Sequence, residues 1–162
     1  MKLIKSYLHR VFIDGLSGMA MGLFSTLIIG TIIQQIGTFV GGETGNFIYM
    51  AGKLAAAATC AGIGVGVAYK FKESALVVLS AATAGLAGGF ASQIIAGTVL
   101  GDSGALVLSG PGEPLGAFVA AYVGIELGHL VSGKTKLDII LTPLVTIGAG
   151  SAVGILVGPP IS

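Results

Sequence analysis

The sequence predicts an all-α integral membrane protein of about five transmembrane helices with glycine-rich packing. Three observations carry this. Of 162 residues, 54% are hydrophobic and only 9% are charged, whereas a soluble domain carries roughly 25% charged residues. Fifteen charged side chains cannot cover the surface of a water-soluble globule of this size. The apolar residues also gather into runs close to the ~20 residues that cross a bilayer core. Finally, the 28 glycines show no collagen period but recur four apart inside those runs, a spacing that lets helix backbones approach closely. Residues 1–162 therefore read as a single membrane domain.

Residues 1–13, MKLIKSYLHRVFI, alternate cations with apolar residues. A secretory signal would end its short apolar core at a small-residue cleavage site; here the apolar run continues to Val40. The segment reads as an amphipathic cytoplasmic start with Leu3, Ile4, Leu8 and Val11 on the lipid side. It leads into a first span over 16–36, which carries the pair Gly18 and Gly22 and ends near Gln34 and Gln35. Residues 37–46 are expected to be a loop. The second span covers 47–68 and contains Lys53, Cys60, Gly62 and Gly66. The charged stretch 69–74 is a short loop before a third span over 75–95. Residues 96–113 are rich in glycine around the apolar patch ALVL, too short to cross, and read as a re-entrant piece covered by protein or water. A fourth span covers 115–131 and a fifth 137–157. Pro143 should kink the fifth, since proline lacks an N–H and crowds the preceding turn. The chain ends on GPPIS, where the two prolines should stop the helix.

Charge sets an orientation. Seven of the eight cations fall in three places: Lys2, Lys5 and Arg10 at the start, Lys70 and Lys72 after span two, Lys134 and Lys136 after span four. The loops after spans one and three have none. This alternation predicts a cytoplasmic N-terminus, with 69–74 and 132–136 cytoplasmic and 41–46 and 101–110 external.

Few residues carry chemistry. Glu126 and His129 lie i, i+3 on one helix face, with Tyr122 one turn earlier. A carboxylate inside an apolar span normally faces a cavity or a partner helix. The pair reads either as a hydrogen-bonded bridge between helices or as a substrate- or proton-linked site. Glu-x-x-His is also a di-iron ligand spacing, but that needs a second such pair, and His9 is the only other histidine. No metal or cofactor is expected. Lys53, about two turns into its span, either snorkels to the interface or faces a cavity and pairs with an anionic group. Glu113, before Pro114, reads as a carboxylate at a helix start, or as a group holding a polar part of a substrate. Asp138 reads as the cap of the fifth helix. Cys60 is a single thiol, so no internal disulfide forms, and it reads as a small packing residue. A net charge of +1 without a basic cluster offers nucleic acid no surface.

The runs GEPLGA (112–117) and SGKTKLDII (132–140), with GLSGMAMGLFSTLIIG (15–30), resemble the EIIC-like membrane family related to the sugar-translocating IIC permease subunits of the bacterial phosphotransferase system. Members of that family are about twice this long, so the resemblance implies the N-terminal half of an inverted-repeat transporter. It also implies a multi-pass protein of the bacterial inner membrane that moves a small solute, a sugar by the family name. The phosphorylatable His and Cys of the soluble components have no counterpart here, so phosphorylation chemistry is not expected in this chain. Glu126, His129, Tyr122, Glu113 and Lys53 are the expected substrate-binding residues. The expected partners are a small solute, the lipid bilayer, and a second half or second copy of the chain. Two other classes stay open: a membrane-embedded binding or regulatory protein without transport, and a glycine-lined channel.

Overall fold

A computed structural model describes residues 1–161. The described residues are almost wholly helical, in seven helices. They are α1 (Lys2–Val40), α2 (Gly42–Ala57), α3 (Thr59–Lys70), α4 (Ala75–Gly89), α5 (Ala91–Ala96), α6 (Pro114–Val131) and α7 (Asp138–Ile161). Three of them, α1, α6 and α7, are long and apolar enough to cross a membrane, and the bent pair α2 and α3 adds a fourth span if taken as one.

The N-terminal segment and the first span form one continuous helix. Its 39 residues correspond to about 58 Å of helix at 1.5 Å per residue, well beyond a ~30 Å hydrocarbon core. The helix widens into π-turns at Arg10–Gly15 and Phe24–Ile28. The loop expected over 37–46 is not there: helix continues to Val40, breaks only at Gly41 (φ +66°, ψ 178°), and resumes at Gly42. Gly41 and Gly42 (φ +65°) make the reversal together, both in backbone conformations that side-chain-bearing residues rarely adopt.

α1 runs against α2 and α3 as a tight antiparallel hairpin. A Cβ on Gly22 would lie 2.5 Å from the Gly62 carbonyl carbon, and one on Gly30 would lie 2.7 Å from the Ala56 nitrogen. No side chain fits in either place. α3, α4, α6 and α7 form a bundle, and its core includes Ile63, Val67, Val77, Phe90 and Ile125. There a Cβ on Gly124 would lie 2.5 Å from the Thr146 carbonyl oxygen. Beyond the bundle, the far part of α1 and α2 pack chiefly on each other and form an arm. Phe39, Phe47 and Leu54 stand exposed on it.

Two spans differ from the sequence expectation. The second is bent by 49° at Ala58, between α2 and α3. The third is divided at Phe90, leaving α4 too short to be one of the spanning helices and α5 as a six-residue piece. Residues 97–113 form a small turn structure in which Leu100 and Leu106 pair as an isolated antiparallel bridge. Leu106 and Val107 remain exposed. Pro143 lies inside a continuous α7, and Pro159 and Pro160 do not stop it; helix persists to Ile161.

The three cation-bearing segments meet at one end of the bundle. Arg10 reaches Glu73, and the Ser74 and Ser132 hydroxyls lie 2.7 Å apart.

Candidate functional site

Two sites emerge, one at each level of the bundle. The first is at the cation-rich end. Arg10, in a π-turn of α1, donates from Nε to Glu126 Oε1 at 3.0 Å and from a terminal guanidinium nitrogen to Glu73 Oε1 at 3.2 Å. The other Glu73 oxygen lies 2.8 Å from His129 Nδ1. The Glu73 side chain is 3% exposed and the His129 side chain 60%. Arg10 also lies over the Phe71 ring, 4.1 Å from its centroid, a cation–π contact. Phe71 meets Tyr122 edge-on at 6.0 Å, and Tyr122 stacks with Phe118 at 6.3 Å. Glu126, His129 and Tyr122 thus do gather, but each faces a protein partner. The guanidinium bridges two carboxylates that would otherwise be stranded in apolar surroundings.

Arg10 and Glu73 are the members the sequence reading missed. Each sits in a segment that looks like a membrane-surface anchor. The available signal was the charge count: a single mid-span carboxylate on α6 calls for a cation, and Arg10 is the cation nearest the first span.

The second site lies where helices break. The α2–α3 bend at Ala58, the α4–α5 break at Phe90 and the start of α6 at Pro114 come together around the loop 108–113. Three contacts hold that loop. The Gln93 side chain donates to the Ser109 carbonyl at 2.8 Å and accepts from the Ser109 N–H at 3.2 Å. The Cys60 thiol donates to the Pro111 carbonyl at 3.1 Å. The Glu113 N–H donates to the Gly89 carbonyl at 2.7 Å. Gly112, at φ +84°, has no room for a side chain, since a Cβ would lie 2.6 Å from the Cys60 sulfur. Cys60 is buried and packs as expected.

Between this loop and the base of the arm is an open groove of ≈590 Å³. Leu27, Met50, Leu54, Leu108 and Pro111 make its apolar walls; Thr31, Gln34 and Lys53 are its polar groups. Glu113 precedes Pro114 at N1 of α6 in an extended conformation, and its carboxylate does not cap the helix. Asp138 likewise does not cap α7 through that helix's own N–H groups. Its carboxylate accepts from the Gly133 N–H at 2.7 Å and from the Thr142 hydroxyl, closing the loop before α7.

The five expected residues therefore divide. Glu113, just before α6, and Glu126, within it, lie thirteen positions apart, about 20 Å along the helix axis, so they do not share one site.

A protein-family model described as phosphotransferase system, EIIC, matches residues 13–162. The chain belongs to the phosphotransferase system EIIC family. The match runs over nearly the whole of this EIIC chain, and of the residues of the two sites only Arg10 lies outside it. No curated protein and no solved structure matches it. Among the described residues no group of three His, Cys, Asp or Glu side chains is placed to hold a metal ion.

Proposed function

We propose that this EIIC chain is the membrane component of a solute carrier of the bacterial inner membrane, and that it moves a small solute, a sugar by family. Its five apolar segments cross the bilayer, α4 and α5 together making the third, with the N-terminus cytoplasmic. The single observation that carries the reading is the convergence of two broken helices and a helix start around the loop 108–113. Discontinuous helices at one level are how many carriers expose backbone and helix ends to a solute. Lys53 and Glu113 contact the solute there. Glu126, His129 and Tyr122 lie on its path at the cytoplasmic end, with Arg10 and Glu73 closing that end while they are paired. The exposed arm takes its cover from a second unit of the same kind, whether covalent or a second copy, as in inverted-repeat carriers.

Ligand-dependent stabilisation tests the site. The purified chain is heated in detergent with a panel of sugars. At least one sugar should raise the unfolding temperature, and Glu113→Gln should reduce the shift. If every sugar leaves it unchanged while the protein is folded, the solute reading fails.

The second reading, a binding or regulatory protein without transport, is favoured by the fully paired Arg10–Glu73–Glu126 cluster. A closed structural clamp needs no solute. The two readings part on flux, as does a glycine-lined channel.

A further inference from the structure

We propose that Glu73 and His129 form a proton-operated latch: the cluster at the cation-rich end binds one proton from the cytoplasm, and that proton holds the end shut. The charge count carries this. Glu73 and Glu126 share the single guanidinium of Arg10, which leaves the three side chains with one negative charge in excess. Unbalanced charge in apolar surroundings is costly, and the Glu73 side chain is almost fully buried. Arg10 reaches Glu126 through Nε and one oxygen of Glu73 through a terminal nitrogen. The second Glu73 oxygen is left to His129, whose Nδ1 lies 2.8 Å away. A proton on the imidazole makes the four side chains neutral together and turns this contact into a charge-assisted hydrogen bond. Without it the contact is weaker and the excess charge returns.

No other group around the cluster supplies that charge. Tyr7 of α1 and Tyr122 of α6 face it with phenols, which carry no charge near neutrality. Lys70 and Lys72 line the hollow beside Glu73 with Tyr69, but neither forms an ion pair among the described residues. α4 has no titratable side chain, and the one on α7, Asp138, is engaged by the Gly133 N–H and the Thr142 hydroxyl. His129 is also the member that water reaches: its side chain is 60% exposed, in the last turn of α6. Imidazole changes charge near neutral pH. The proton therefore strengthens or weakens one tie between the segment joining α3 to α4 and the end of α6. Acid should hold the end shut and alkali should loosen it. This rests on the proposed reading that the cluster closes the cytoplasmic end.

The experiment needs no solute. Unfolding temperatures of the full chain, His129→Gln, Glu73→Gln and the double variant are measured in detergent from about pH 5.5 to about pH 8, the range in which an imidazole changes charge. Titrations elsewhere cancel in this double-mutant cycle. The stabilisation by the pair should be larger at the acid end by about 2–4 °C and shrink as pH rises. His9→Gln, at the exposed second histidine, should keep the parental profile. A cycle with the same value at both ends overturns the latch, because a merely structural contact does not respond to pH. Opening is read from Phe118→Cys in a Cys60→Ala background, since Phe118 stacks on Tyr122 one turn deeper than that residue. Its rate with a small maleimide is divided by that of Thr135→Cys, which removes the pH dependence common to thiols. The ratio should rise several-fold from acid to alkali, and His129→Gln should make it high throughout. A ratio that ignores pH with His129 present overturns the gating. Sugar counterflow is measured separately: flux with a pH-independent cycle overturns only the latch, and a pH-dependent cycle without flux overturns only the carrier.

Discussion

Arg10 and Glu126 are 116 residues apart in sequence and joined by a 3.0 Å hydrogen bond from Nε to Oε1. The same guanidinium holds Glu73, so one side chain from α1 ties together the end of the α1–α3 hairpin and the end of α6. Removing Arg10 leaves two carboxylates without their cation, one of them almost fully buried. Removing only the charge of Glu126 leaves an oxygen that still accepts from Nε. Arg10→Ala should therefore destabilise the protein by about 1–3 kcal/mol, and Glu126→Gln by less. Thermal unfolding of both variants in detergent checks this order. Arg10→Ala with parental stability would show that the bridge contributes nothing to the fold.

The glycine contacts predict a sharper loss. A Cβ on Gly124 would meet the Thr146 carbonyl at 2.5 Å, and one on Gly89 would lie 2.8 Å from the Cys60 Cβ. Leucine at either position must push whole helices apart, which costs about 1–3 kcal/mol or more. Gly124→Leu and Gly89→Leu should lower the unfolding temperature or abolish folded protein. Gly148, where nothing lies within 4 Å of a Cβ, is the control: Gly148→Leu should be close to neutral. Parental stability of both Gly124→Leu and Gly89→Leu would contradict the close packing.

Orientation is tested by labelling. In a Cys60→Ala background, Thr135→Cys should be protected from an impermeant thiol reagent in intact cells. Glu43→Cys, at the far turn, should react. Labelling of Thr135→Cys from outside would reverse the assigned orientation.

How much of this was legible in the sequence follows from which forces are local. Apolar runs and four-residue glycine spacing reveal helices and their close faces, because both depend on residues a turn or two apart. Where helices end was less legible. A Gly-Gly pair at 41–42 reads as the middle of a loop, yet these two residues by themselves turn the chain and helix packing carries α1 to Val40 and α2 back from Gly42. The breaks at Ala58 and Phe90 have no glycine or proline at the break residue itself; the loop 108–113 packs beside both, through Cys60 and Gly89. For the candidate site, the face shared by Tyr122, Glu126 and His129 follows from helical spacing. Their partners Arg10 and Glu73 come from distant segments and resemble ordinary interface anchors. Lys53 stands out in the sequence as a cation inside an apolar run; the groove beside it depends on Leu108 and Pro111, more than fifty residues away.

Solute transport by this EIIC chain is the proposal on which the rest depends. It is tested most directly by counterflow in proteoliposomes, with the purified chain reconstituted, preloaded with one unlabelled sugar at a time, and offered the same sugar labelled outside. Labelled uptake should saturate with concentration for at least one sugar and fall several-fold in Glu113→Gln. Folded, reconstituted protein that exchanges no sugar in the panel, or that passes sugar only in proportion to concentration without saturating, would contradict carrier transport.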